Sequence, residues 1–234
     1  MNSFSLIVPV AGDKAEYRER LPLVFNYGDD GVMLCVKAVT GLDLSKFTDI
    51  IFVVLADHDR RYGIEGQLRL QFGRLGLDRA RVLLLDEPTG CQAETIYRVV
   101  KSQCLEGAIF IKDGDCYFKA DDIVRQNGVA IYPLEELAIV DPQHKSYVAV
   151  DDMNYVTNII ESRVVSHYFN AGGYCFEDAA VYCDYYERLR GYGHLYLSHV
   201  IYAMLLDRHI FRPIEITSYA DYSLPANAKP VCKC

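Results

Sequence analysis

The sequence predicts an α/β fold: a mostly parallel sheet covered by helices, followed by a smaller mixed sheet. Three observations predict it. Short apolar runs alternate with stretches of helical spacing from Phe4 to Lys112. That β-α-β-α order calls for right-handed crossovers and a parallel sheet with helices on both faces. After Asp121 the texture changes to short strands suited to antiparallel or mixed pairing, then to two helical stretches. No Gly/Ser-rich linker, internal repeat or low-complexity segment divides the 234 residues. One domain is therefore expected, with halves of about 1–125 and 126–234.

Phe4 to Val10 reads as a buried strand, with an unbroken apolar run from Leu6 to Val10. Val32 to Thr40 suits a helix, and Asp49 to Ala56 reads as a second buried strand. Between Gly63 and Leu75, the residues Ile64, Leu68, Phe72 and Leu75 recur at helical spacing. Arg81 to Leu85 is a third strand. Ala93 to Gln103 is a helix with Ile96, Val99 and Val100 inward, and Ala108 to Lys112 is a fourth strand. In the second half, strands are expected at Val129–Tyr132, Tyr147–Val150 and Tyr155–Glu161. Helices are expected at Glu177–Arg190 and Tyr196–Asp207, and a late strand at Ile210–Thr217. Ligands of such sheets gather beyond the carboxyl ends of the strands, which directs attention to residues 11–20, 86–92 and 113–117.

Composition narrows the function. Hydrophobic residues make up 51 % of the chain, enough for a full core. The net charge is −8, so the basic footprint of a nucleic-acid binder is lacking. An anionic ligand would need local cations or a metal ion, because the global field repels it. The N-terminus carries neither a charged leader nor a cleavage site, and runs such as Ile50 to Ala56 are too short to span a bilayer, so a cytoplasmic protein is expected. Eight cysteines form no CxxC pair and read as reduced thiols, mostly in the core. Cys232-Lys-Cys234 reads as a frayed end. The histidines show no HExxH spacing, and no GxSxG motif is present.

Four segments could carry chemistry. Lys112-Asp113-Gly114-Asp115 follows the fourth strand and places two carboxylates at a strand's carboxyl end, hard ligands for Mg²⁺. An ordinary Asp-Gly turn is an equal reading. Asp86-Glu-Pro-Thr-Gly-Cys-Gln-Ala-Glu-Thr95 is a turn that opens into a helix, whose free amides can meet an anion or a base edge; a plain βα loop has the same pattern. Asn170-Ala-Gly-Gly-Tyr-Cys-Phe176 holds paired glycines, which permit close approach to a ligand and also mark bulges and turns. Ala11 to Arg20 has the position of a phosphate loop. It has a single glycine, Gly12, and offers Lys14, Arg18 and Arg20 as phosphate contacts or solvated charges.

Together with the late segment Ile216-Thr-Ser-Tyr-Ala-Asp221, these motifs resemble the sugar-1-phosphate nucleotidyltransferases and related nucleotide-diphospho-sugar transferases, in particular those of capsule and surface-polysaccharide biosynthesis. The likeness runs from about residue 4 to residue 224. It implies a Rossmann-like, mostly parallel sheet with a smaller mixed sheet, the GT-A fold. It also implies a reaction: a sugar-1-phosphate oxygen attacks the α-phosphorus of a nucleoside triphosphate, and pyrophosphate leaves. The implied catalytic residues are Arg18, Arg20 and Asp115. Nucleotide binding falls to Ala11, Gly12, Pro88, Gly90, Cys91, Gln92, Glu94 and Asp113. Sugar binding falls to Glu161, Asn170, Ala171, Gly172 and Gly173, and Asp115 and Asp221 would hold Mg²⁺. The implied partners are a nucleoside triphosphate or nucleotide sugar and a sugar phosphate, with no nucleic acid and no membrane span; a homo-oligomer stays open. The chain departs from the family pattern at Leu21 and Ser162, where lysines are expected, and at Cys91, where a glycine is expected. A catalytically impaired binding relative and a glycosyltransferase of the same fold are the alternative readings.

Overall fold

In the computed structural model, which describes residues 3–12, 20–137, 145–193 and 195–222, the first apolar run becomes β1 (Phe4–Pro9). It lies between β2 (Asp49–Leu55) and β4 (Ala108–Lys112), parallel to both. These strands are almost wholly apolar because each side chain meets a core whichever way it points. Leu6 and Val8 enter one core with Phe52 and Phe110. Ile7 enters the other with Ile51, Val53, Ile109 and Ile111.

β3 (Ala80–Leu85) pairs parallel to β2 and closes one edge. On the other side of β4, the nine-residue β9 (Tyr168–Phe176) runs antiparallel to β4 and to β6 (Gly128–Pro133), and β10 (Arg212–Glu215) pairs parallel to β6. The sheet order is β10-β6-β9-β4-β1-β2-β3. A hairpin of β7 (Ser146–Val150) and β8 (Val156–Glu161) extends this sheet through β7–β9 pairing. β5 (Cys116–Lys119) and β11 (Ser218–Asp221) form a separate antiparallel ribbon. A large, mostly parallel sheet with a smaller antiparallel part is the fold class the sequence predicts.

Helices cover both faces. α1 (Leu34–Lys37) and α3 (Ile64–Leu75) bury Cys35, Val36, Ile64, Leu68 and Phe72 in the first core. α4 (Gln92–Ser102), α5 (Ala179–Leu189) and α6 (Leu197–Leu206) bury Ile96, Val99, Tyr182 and Ile201 in the second. Two expectations change. The helix expected over Val32–Thr40 is one α-turn. Beyond it the amides of Val39 and Thr40 bond three residues back, to Val36 and Lys37, and this tighter winding does not propagate. α2 (Ala56–Tyr62) starts where β2 stops and ends at Gly63, with φ at 64°. Only its Ala56 and His58 are buried, so it lacks the apolar stripe that reveals a helix in sequence. Among the described residues, no helix is long and apolar enough to cross a membrane.

Candidate functional site

The carboxyl ends of β1 and β4 open side by side, and the turn after β4 packs on the end of β1. A Cβ on Gly114 would lie 2.5 Å from Val10 Cγ1, so residue 114 must be small for the turn to sit there. Lys112 holds the turn from below. Its side chain is 0 % exposed, and its ammonium donates to the Asp113 and Cys116 carbonyls at 2.8 Å each and to Cys116 Sγ at 3.1 Å. It also lies 4.5 Å from the Phe118 ring centre. Its three donors are thereby satisfied, as a buried ammonium requires.

Asp113 is fixed from two sides. Its amide donates to the Gly172 carbonyl of β9 at 2.9 Å, and its Oδ1 accepts from Gln92 Nε2, at the start of α4, at 2.5 Å. Burial and then the nearby Asp115 charge push its carboxyl up to about 6, against Lys112, the Gln92 hydrogen bond and Lys145. Asp115 is exposed, and its carbonyl accepts from the Tyr222 amide at 2.9 Å. Asp221 pairs in register with Cys116. The ribbon therefore brings Asp221 to the strand end that carries Asp113 and Asp115, although more than a hundred residues separate them in sequence. Asp221 Oδ2 accepts from Lys145 Nζ at 2.6 Å.

The segment Asn170–Phe176 is not a loop but the middle of β9, between β4 and β6. Gly172 has φ at +81°, and pairing with β6 shifts register across this stretch. The paired glycines thus serve a bulge that aims the strand's backbone at Asp113. A Cβ on Gly172 would sit 2.7 Å from Asp113 Oδ2. Ala171 and Gly173 are buried within the strand, and the Ala171 carbonyl accepts from Cys116 Sγ at 3.2 Å. Asn170 is 7 % exposed; its Oδ1 accepts from the Gly172 amide at 2.9 Å. Its buried Nδ2 has the Tyr174 hydroxyl as its neighbour but no well-formed hydrogen bond among the described residues, and leaving such a donor unmet is costly. Burial, then the charges of Asp113 and Glu161, holds the nearby Tyr174 hydroxyl well above its ordinary range, so it stays a neutral donor. Glu161 accepts from Ser146 Oγ at 2.5 Å and from Ser198 Oγ, tying β8 to β7 and α6.

The other expected residues divide. Ala11 is buried and Gly12 exposed at the end of β1, and a Cβ on Gly12 would meet no atom of the described residues within 4 Å. Pro88 and Gly90 are exposed on the loop before α4, and Cys91 is partly buried at its N-cap position. Glu94 is already engaged: Oε2 accepts from the Gly90 amide at 2.7 Å, and Oε1 pairs with Arg98 at 2.6 Å. Arg20 is exposed. Arg18, Lys14 and Cys232-Lys-Cys234 lie outside the described residues. Sequence reasoning missed Lys145 and Tyr174, and it quoted Lys112 without a role.

Mg²⁺ fits the donor chemistry here under one condition. Among the described residues, no cluster of three or more His, Cys, Asp or Glu side chains could hold a metal alone. Asp113 and Asp115 supply hard oxygens but too few of them, so phosphate and water oxygens must complete the shell, the usual arrangement for this ion.

No protein-family model matches the chain, and no curated protein matches it by sequence. Solved structures do match. The nucleoside-diphosphate-sugar pyrophosphorylase from Vibrio cholerae RC9 superposes with a TM-score of 0.77 at 16 % identity, covering 94 % of this chain and 96 % of that one. The inositol-1-phosphate CTP transferase from T. maritima superposes at 0.70 with 18 % identity, covering 98 % and 93 %. A UDP-glucose pyrophosphorylase complexed with UDP-glucose superposes at 0.70 with 12 % identity, covering 96 % and 94 %. Across nearly its whole length, this chain has the fold of the nucleotide-diphospho-sugar transferases.

Proposed function

We propose that the chain is a Mg²⁺-dependent nucleotidyltransferase of the cytoplasm, acting in polysaccharide biosynthesis. It would join a nucleoside triphosphate to a sugar-1-phosphate, or a similar phosphorylated headgroup, and release pyrophosphate. The observation that carries the reading is the convergence on Asp113 of the β4 end, the Gln92 side chain and the β9 bulge, with Asp115 two residues on and the backbone of Asp221 in register with Cys116. Residues 1–125 would form the nucleotide half and 126–234 the sugar half of one domain.

In this reading a phosphate oxygen of the sugar phosphate attacks the α-phosphorus, the bond to the β-phosphate bridging oxygen breaks, and that oxygen leaves as part of pyrophosphate. Such transfer is chiefly positioning and charge neutralisation. Bound Mg²⁺ would neutralise phosphate charge, held by Asp113, Asp115 and phosphate oxygens, with Asp221 joining only after its carboxylate leaves Lys145 and moves toward the other two. Gly12, which has no side chain, would let phosphate approach the backbone. Gln92 would keep Asp113 oriented. The Asn170 Nδ2 and the neutral Tyr174 hydroxyl would donate to the sugar, and the buried Lys112 would hold the 113–116 turn rigid.

Pyrophosphate release tests this, with each nucleoside triphosphate, Mg²⁺ and a panel of sugar-1-phosphates. Release by one pair, lowered about a hundredfold or more by Asp115→Asn, supports the reading. The ion pair that already engages Asp221 favours one competitor, a binding relative without catalysis. Mg²⁺-dependent nucleotide binding with no release from any pair would establish that competitor.

A further inference from the structure

The carboxylate of Asp221 is not held ready for a metal ion. It is capped by a cation from the chain itself. Lys145, at the entry to β7, reaches across to β11, and its Nζ lies 2.6 Å from Asp221 Oδ2 and 2.8 Å from the Tyr219 hydroxyl. The ammonium also faces two rings, 5.1 Å from the centre of Phe169 and 5.0 Å from that of Tyr219. The two side chains of the ion pair are only 13 % and 11 % exposed. Phe169 packs edge-on against Tyr219, and Tyr132 stacks on its other side, so the cage has fixed walls. A lysine in such surroundings differs from a solvated rim charge: its position is set by a carboxylate, a hydroxyl and two aromatic faces. Its field also reaches Asp113, where it favours the ionised carboxyl.

A divalent cation and an ammonium compete for one carboxylate. To ligate Asp221, the metal ion must evict Lys145 from its cage or share the oxygen pair with it, and like charges a few ångströms apart in partly buried surroundings repel strongly. We propose that Lys145 is a built-in cation that occupies Asp221 in the free protein. Asp221 is thereby withheld from the metal ion until nucleotide phosphates bring further oxygen ligands. This rests on the reading of the strand-end carboxylates as a cation site. It assigns Lys145 a positioning role: without nucleotide, the ion has only Asp113 and Asp115, and it binds weakly.

Mn²⁺ binding to the nucleotide-free protein, followed by the loss of the free-ion EPR signal, reads this directly. Lys145→Met should bind Mn²⁺ about tenfold or more tighter than the native chain, because the competing charge is gone. Asp221→Asn should change native Mn²⁺ affinity less than about twofold, yet remove the gain when added to Lys145→Met, the signature of coupled sites. Lys145→Gln, which keeps a hydrogen-bond donor in the cage, should show the same gain and covers the event that the methionine variant fails to fold. Affinity unchanged or weakened in the folded lysine variants would overturn the proposal. So would an equal loss from Asp221→Asn with and without Lys145. The readout needs no turnover. Pyrophosphate release without the Mn²⁺ gain would sink this inference alone, and the gain without any release would sink only the catalytic reading.

Discussion

Gly172→Ala tests whether the β9 bulge is what positions Asp113. The residue has φ at +81°, where an L-residue costs about 1–2 kcal/mol. The added methyl would lie 2.7 Å from Asp113 Oδ2, 2.8 Å from Cys116 Sγ and 3.0 Å from Asp113 Cβ. None of these neighbours is the free end of a flexible chain. Asp113 is held by Gln92 and by Gly172's own carbonyl, and Cys116 is held by Lys112 and Ala171. Overpacking of a site that cannot yield costs about 1–3 kcal/mol. The sum is a loss of roughly 2–5 kcal/mol, read from urea unfolding with m unchanged. Gly66→Ala is the matched control. Gly66 is exposed in α3, and a Cβ there meets nothing within 4 Å. The same substitution should therefore stabilise by about 0.5–1 kcal/mol through helix propensity. A Gly172→Ala loss below about 1 kcal/mol would refute the claim that the bulge is sterically closed around Asp113.

Two further outcomes follow from the same geometry. The folded state holds the Asp113 carboxyl up to about 6, above its ordinary 3.8. The folded chain therefore binds this proton more tightly than the unfolded chain between those values, and the group's contribution falls as pH rises through that window. In EDTA, Asp113→Asn should lose this slope and gain on the native chain by up to about 3 kcal/mol above pH 6; parallel stability–pH curves from pH 4.5 to 7 would contradict it. Tyr182 is fully buried on α5, and its hydroxyl donates to the Ala93 carbonyl at the start of α4 at 2.8 Å. Tyr182→Phe should cost about 0.5–1.5 kcal/mol in urea unfolding, since it removes a buried hydrogen bond while the Ala93 carbonyl keeps its helical one; a neutral result would mean that the hydroxyl contributes nothing net.

What the sequence disclosed and what it hid have physical causes. β1, β2 and β4 were legible because burial on both faces leaves few polar positions to break the run, Ser5 in β1 and Lys112 at the end of β4 among them. The Asp113-Gly-Asp115 turn was legible because it directly follows such a run. β9 was hidden, since Phe169-Asn-Ala-Gly-Gly reads as a loop. Only in the folded sheet do the buried Asn170 and the two glycines appear as one bulge between β4 and β6. Lys145 was hidden more deeply. Its partner Asp221 is 76 residues away, and its aromatic cage comes from β9 and β11, so no local pattern announces it. Long-range ion pairs leave no periodicity in sequence.

The same residues explain why the proposed chemistry calls for a divalent cation. At the strand ends, three carboxylates, Asp113, Asp115 and Asp221, face two ammonium groups. The Lys112 ammonium donates only to carbonyls and a thiol, and so it braces the turn without pairing with any of the three acids. Among the described residues, Lys145 pairs with Asp221. The described site therefore keeps a surplus of negative charge, inside a chain whose net charge is already −8. A polyphosphate approaching that surface meets repulsion from the whole protein and from the site itself. A cation carried in on the phosphates reverses the local sign where the two meet. With Lys145 on Asp221, the ion arrives in that company and not before.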